Sequence, residues 1–109
     1  MTDFSESKIV KLVSGSKYQR LFSPDSGTCG IKAGHVILKT GEDVGEHSTN
    51  DMEEALVILK GTGQLMINKK DGLDFEDNTV LYVAPQTIHN VKNTGAGTLE
   101  YIFITSNAK

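Results

Sequence analysis

Apolar residues along this chain come in short runs, some alternating with polar residues and some uninterrupted, with almost none at the spacing of an amphipathic helix. Lys8 to Val13 and Lys17 to Phe22 read as short strands divided by Ser14-Gly15-Ser16, and Pro24 to Gly30 reads as a loop. His35 to Thr40 is β-rich and stops at Gly41, after which Gly41 to Asp51 is polar and loop-like. Glu54 to Lys60 reads as a strand, Gly61-Thr62-Gly63 as a tight bend, and Gln64 to Asn68 as the partner strand. Asp71-Gly72 is the strongest two-residue hairpin signal. Thr79 to Ala84, Ile88 to Asn93 and Leu99 to Thr105 complete the series, with Pro85 and Thr94-Gly95-Ala96-Gly97 as breaks. Many short strands at such spacing predict an all-β sandwich or barrel.

The strand from Glu54 carries Glu54, Leu56 and Ile58 on one face and Ala55, Val57 and Leu59 on the other. Leu81 and Val83 alternate with Val80 and Tyr82 in the same way. Strands apolar on both faces call for cover on both sides. A small sandwich has one interior, so the second layer is expected to be an extra strand or another subunit, which predicts a homodimer.

At 109 residues the chain is expected to form a single domain over 1–109. Its net charge of -3, with no basic cluster longer than Lys69-Lys70, fits nucleic acid poorly, because phosphate binding needs concentrated positive charge. The other basic residues are lysines, so Arg20 alone offers a rigid guanidinium fork and is a candidate to hold a ligand carboxylate; a solvated strand residue is the plainer reading. Cys29 is the single cysteine and cannot form an internal disulfide, and Met1 to Val10 is polar without an apolar leader core. These features suit a cytoplasmic protein. No apolar run approaches the roughly 20 residues of a helical membrane span, so no membrane partner is expected.

The chemistry lies in spacing. Two of the three histidines, His47 and His89, fall in separate β-type segments, the first of which also holds Glu54. Counting outward, Gly41, His47, Thr49, Glu54 and Gly61 form one constellation, and Asn78, Ala84-Pro85-Gln86, His89 and Asn93 form a second. This pair resembles the two motifs of the cupin superfamily, G(X)5HXH(X)3-4E(X)6G over 41–61 and G(X)5PXG(X)2H(X)3N over 78–93, and the whole resembles a small single-domain protein of the cupin 2 type. Three departures stand out: Thr49 replaces the family's second histidine, Asn78 its second-motif glycine, and Ala84-Pro85-Gln86 its PXG.

The resemblance implies a double-stranded β-helix, or jelly roll, with His47, Glu54 and His89 pointing into the barrel as ligands of a divalent metal, whether iron, manganese, nickel, zinc or copper. Three protein ligands with an open position suit a catalytic rather than a structural site. Glu53 adjoins Glu54, but strand alternation sends the two to opposite faces. Thr49, Tyr101, Phe103 and Met66 are expected to line the pocket. His35 reads as a surface or strand-end histidine and Asn93 as a turn residue before Thr94-Gly95. Two functional readings stand. One is a metalloenzyme of dioxygenase, isomerase or lyase class acting on a small sugar or organic acid. The other is a non-catalytic small-molecule sensor or binder with an incomplete metal site.

Overall fold

The computed structural model describes residues 7–109, without the Asp71 side chain. Among these residues nine strands form two antiparallel sheets. They are β1 (Tyr18–Phe22), β2 (Lys32–Leu38), β3 (His47–Ser48), β4 (Met52–Lys60), β5 (Gly63–Ile67), β6 (Lys70–Phe75), β7 (Thr79–Val83), β8 (Ile88–Asn93) and β9 (Leu99–Asn107). One sheet runs in the order β1-β2-β9-β4-β7, the other β3-β8-β5-β6. Among the described residues the only helical piece is a 3-10 turn at Pro24–Ser26, so no described helix is long and apolar enough to cross a membrane.

Strand alternation sorts the interior. From β2, Val36 and Leu38 point inward; from β4, Leu56 and Ile58; from β9, Leu99 and Tyr101; from β5, β7 and β8, Leu65, Val83 and Val91. Burying these side chains is what holds the two sheets face to face. Because the strands are in register, the interior can be read as rungs. Leu38 lies opposite Leu99 at one end, and Lys32, Thr105 and Glu54 lie side by side at the other. The first end is plugged by apolar side chains, whereas the second carries the polar groups.

The observed strands depart from the sequence expectation in instructive places. Lys8 to Val13 is irregular rather than a strand. Its backbone is held by one side chain of β1: Val13 N–H donates to Gln19 Oε1 at 3.0 Å, and Gln19 Nε2 donates to the Lys11 carbonyl at 3.0 Å. The hairpin turn is not Asp71-Gly72 but Asn68-Lys69, whose φ angles of 51° and 65° match the left-handed pair a two-residue hairpin requires. Gly72 instead lies inside β6, opposite a register shift between Leu65 and Ile67, where an added Cβ would sit 2.0 Å from the Leu65 carbonyl oxygen.

Two of the motif departures keep the motif's backbone. Asn78 and Gln86, which stand where the family motif has glycine, both adopt left-handed φ, 61° and 54°. A non-glycine residue there costs about 1–2 kcal/mol. At Gln86 the cost is offset locally, since its N–H donates to the Asn50 carbonyl at 2.8 Å and its Nε2 to Asp51 Oδ1 at 2.9 Å.

His35 is not a surface residue. It is 1% exposed, with Nδ1 3.0 Å from Gln19 Oε1 and Nε2 2.6 Å from Glu100 Oε2. The outward face of β2 at this point is covered by side chains of β1 and β9. Sequence parity alone could not reveal that cover.

Candidate metal centre

His47 and His89 are direct cross-strand partners on β3 and β8, with ring centroids 4.2 Å apart and planes at 57°. Glu54 comes from β4 in the opposite sheet and places Oε1 2.8 Å from His89 Nε2. One ligand atom from each of the three residues lies within 4.8 Å of the others. His89 and Glu54 are buried, while His47 is exposed at the rim. Glu53 is excluded from this group, because its carboxylate accepts the Tyr82 hydroxyl at 2.8 Å.

Both imidazoles are oriented in the same way. His47 Nδ1 lies 2.9 Å from the Gly45 carbonyl oxygen, and His89 Nδ1 lies 3.2 Å from that of Thr87. A carbonyl only accepts, so each Nδ1 carries a proton, and coordination falls to Nε2, which in His89 must first give up the proton it shares with Glu54. This fixing of the tautomer by a backbone acceptor is a regular feature of metal-binding histidines. Two imidazole nitrogens and one carboxylate oxygen form a donor set that fits first-row divalent transition metals.

Thr49, at the place of the family's missing histidine, lines the cavity but is committed elsewhere. Its buried hydroxyl donates to the Ala84 carbonyl at 2.7 Å and accepts the Thr87 N–H at 3.1 Å. Thr49 thus braces Thr87, whose carbonyl orients His89. It does not act as a fourth donor.

Burial opposes the charged form of His89, but the Glu54 hydrogen bond, the Thr87 carbonyl and the Glu54 charge together outweigh it. The result is a pKa above the ordinary imidazole value. Burial, with a smaller contribution from the Glu54 charge, pushes the Tyr101 hydroxyl far up, so it stays protonated and can only serve as a neutral hydrogen-bonding group near neutral pH.

The three residues open onto a cavity of about 440 Å³ between the sheets. Thr49, Tyr101 and Phe103 are among the residues that line it, and Met66 is not. Met66 follows the buried Leu65 on β5, and alternation turns it to the other face of the sheet. Arg20 is exposed on β1 and also lies outside the lining. Tyr18 and Lys32 do line it, though neither stood out in the sequence. Both belong to strands outside the two motifs, and only register shows that they face inward.

The sequence matches the model of the Cupin_2 family, described as a cupin domain, over residues 34–105. No curated protein matches the chain. Among solved structures, an RmlC-like cupin with a double-stranded β-helix fold from Methanocaldococcus jannaschii superposes with a TM-score of 0.79 at 18% identity, covering 94% of this chain and 92% of that one. The protein BH2720 from Bacillus halodurans gives 0.80 at 18% identity, covering 100% and 88%. A predicted oxalate decarboxylase from Thermotoga maritima gives 0.75 at 24% identity, covering 83% and 78%. At these identities the likeness establishes the fold, a double-stranded β-helix. With motif spacing, inward-facing ligand group and family model in agreement over most of its length, the chain belongs to the cupin family.

Proposed function

We propose that this protein is a metal-dependent cupin that binds one divalent ion through His47, Glu54 and His89 and acts on a small molecule in the adjoining cavity. The observation that carries the reading is the convergence of His47, Glu54 and His89, one ligand atom of each within 4.8 Å of the others, with both Nδ1 atoms spent on backbone carbonyls. Iron, manganese, nickel, zinc and copper all suit the donor set. Such an ion would polarise a substrate oxygen as a Lewis acid for isomerase or lyase chemistry or, if iron, activate dioxygen as the oxidant for dioxygenase chemistry. The chain itself supplies the enclosure: Val36, Leu56 and Val91 give the cavity an apolar floor, and the Tyr101 hydroxyl is a neutral polar group in its wall.

A second reading, a small-molecule binder or sensor without turnover and with an incomplete metal site, is favoured by one feature. Beyond Glu54, no carboxylate stands among the described residues of the cavity lining to act as general base. Only the first reading requires the ion. Protein purified without chelator and titrated with zinc or manganese is expected to take up about one ion per chain; saturation far below that would end the metalloenzyme reading and leave the binder.

We further propose that the protein works as a homodimer in the cytoplasm, where an exposed unpaired Cys29 is at home. The outward face of the larger sheet is apolar and open, with Val80 at 68%, Tyr82 at 60% and Ile104 at 36% exposure on β7 and β9, flanking β4. A second copy of that face is a self-complementary cover. Light scattering at about 10 µM is expected to give the dimer mass, and Val80→Lys is expected to give the monomer. A native monomer at that concentration removes the dimer from the proposal.

A further inference from the structure

Lys32 begins β2 at the open end of the barrel and lines the cavity. The register puts it opposite Thr105 on β9, which is itself opposite Glu54 on β4. Inward-facing neighbours along such a rung stand about 5 Å apart at Cβ. The Lys32 backbone is therefore two strands from the carboxylate of the metal group; its side chain is exposed at the mouth, and its four-carbon stem is long enough to bring the ammonium over the space between.

Below Lys32, the next inward position of β2 is Gly34. Its missing side chain leaves the room that Tyr18 and Phe103 fill: a Cβ on Gly34 would lie 2.5 Å from Phe103 and 2.7 Å from Tyr18. The two rings stack with centroids 6.1 Å apart and planes at 15°. An aromatic wall thus rises on the same side of the cavity as the ammonium.

The charges are one-sided. Among the described residues lining the cavity, Lys32 is the only lysine or arginine and Glu54 the only carboxylate. Glu54 faces His89, and among the described residues Lys32 has no ion-pair partner. With a divalent ion at the triad, the lining carries a surplus of positive charge that a neutral ligand would leave uncompensated.

We infer that the pocket takes a small organic acid, its carboxylate on Lys32, its apolar or aromatic body along Tyr18 and Phe103, and its far oxygen toward His47, Glu54 and His89. The far end of this placement rests on the proposed metal site, while the carboxylate end rests on Lys32 alone. The role that sequence offered to Arg20 thus falls to Lys32, which reaches the cavity where Arg20 does not.

The test uses the full chain, zinc-loaded, and two probes of the same shape, 4-hydroxybenzoate and its uncharged amide, 4-hydroxybenzamide, compared by calorimetry. The acid is expected to bind at least about tenfold more tightly than the amide. Lys32→Met is expected to erase most of that preference without changing zinc affinity or amide binding, and Lys32→Arg to keep it. Three results each overturn the inference: equal affinity for the two probes, a preference that survives Lys32→Met, and no binding of the acid at millimolar concentration. Zinc titration in the absence of either probe reads the metal site separately. If zinc fails to bind while the metal-free chain still prefers the acid through Lys32, the metal reading falls and the carboxylate site stands.

Discussion

Replacing His89 with alanine is expected to lower zinc affinity by at least about a hundredfold, since even the loss of a group that only orients a ligand costs 10–100-fold. His47→Ala is expected to do the same with less effect on the fold, because His47 is exposed whereas His89 is buried against Glu54. The native protein carries a further signature in its pH dependence. The folded His89 pKa is raised, so in the metal-free chain the His89–Glu54 contact contributes fully below the unfolded imidazole value of about 6.5 and fades as pH rises through the folded value. Metal binding needs the imidazole neutral, so zinc must displace that proton and its stabilisation grows over the same window. Melting curves with and without zinc are therefore expected to draw apart as pH rises from about 6 to 8. In His89→Ala the zinc-dependent gap is expected to be largely lost. A gap that stays constant with pH in the native protein would show that a histidine proton is not what zinc displaces.

Much of this site is legible in the sequence, for a definite reason. His47, Glu54 and His89 lie on or beside turns whose lengths are set by local geometry, so their spacing survives as a linear pattern. Even the substitutions Asn78 and Gln86 keep the left-handed backbone that the pattern requires. Illegible are the contributions of strands that reach the site only through pairing. Tyr18 and Lys32 enter through β2's place between β1 and β9, a long-range arrangement that no local signal encodes. The same limit explains Met66, chosen for its strand and missed by one step of alternation, and His35, whose cover comes from distant Gln19 and Glu100. Asp71-Gly72 misleads differently. It is a sound turn signal in isolation, overridden because Gly72 is needed where β6 passes the Leu65 carbonyl.

Asn93→Leu is expected to destabilise the protein by about 3 kcal/mol while leaving the metal affinity of the folded molecule unchanged. In sequence Asn93 reads as a turn residue, yet its side chain is 1% exposed and makes three hydrogen bonds at the closed end of the barrel. Its Nδ2 donates to the Leu38 carbonyl at 3.0 Å and the Gly97 carbonyl at 2.9 Å, and its Oδ1 accepts the Gly95 N–H at 2.9 Å. One amide thereby joins the end of β2, the end of β8 and the loop that leads into β9. Leucine keeps the heavy-atom count and the branch at Cγ, though it is bulkier, and satisfies none of these groups; the Leu38 carbonyl is the one whose bond lies wholly buried. An orphaned buried polar group costs about 1–3 kcal/mol, and Gly95 and Gly97, nearer the surface, recover part of theirs from water. Against a typical stability of about 5–15 kcal/mol the loss is large, and a urea midpoint measured at unchanged slope reads it directly. Asn93→Asp separates hydrogen bonding from shape, because an ionised carboxylate keeps the acceptor for Gly95 but turns an oxygen toward the Leu38 and Gly97 carbonyls. That variant is expected to be less stable than Asn93→Leu at neutral pH and to regain part of the difference in acid, where the protonated group can donate again. If Asn93→Leu instead loses less than about 1 kcal/mol, water reaches the Leu38 carbonyl and the closed end of the barrel is not dry.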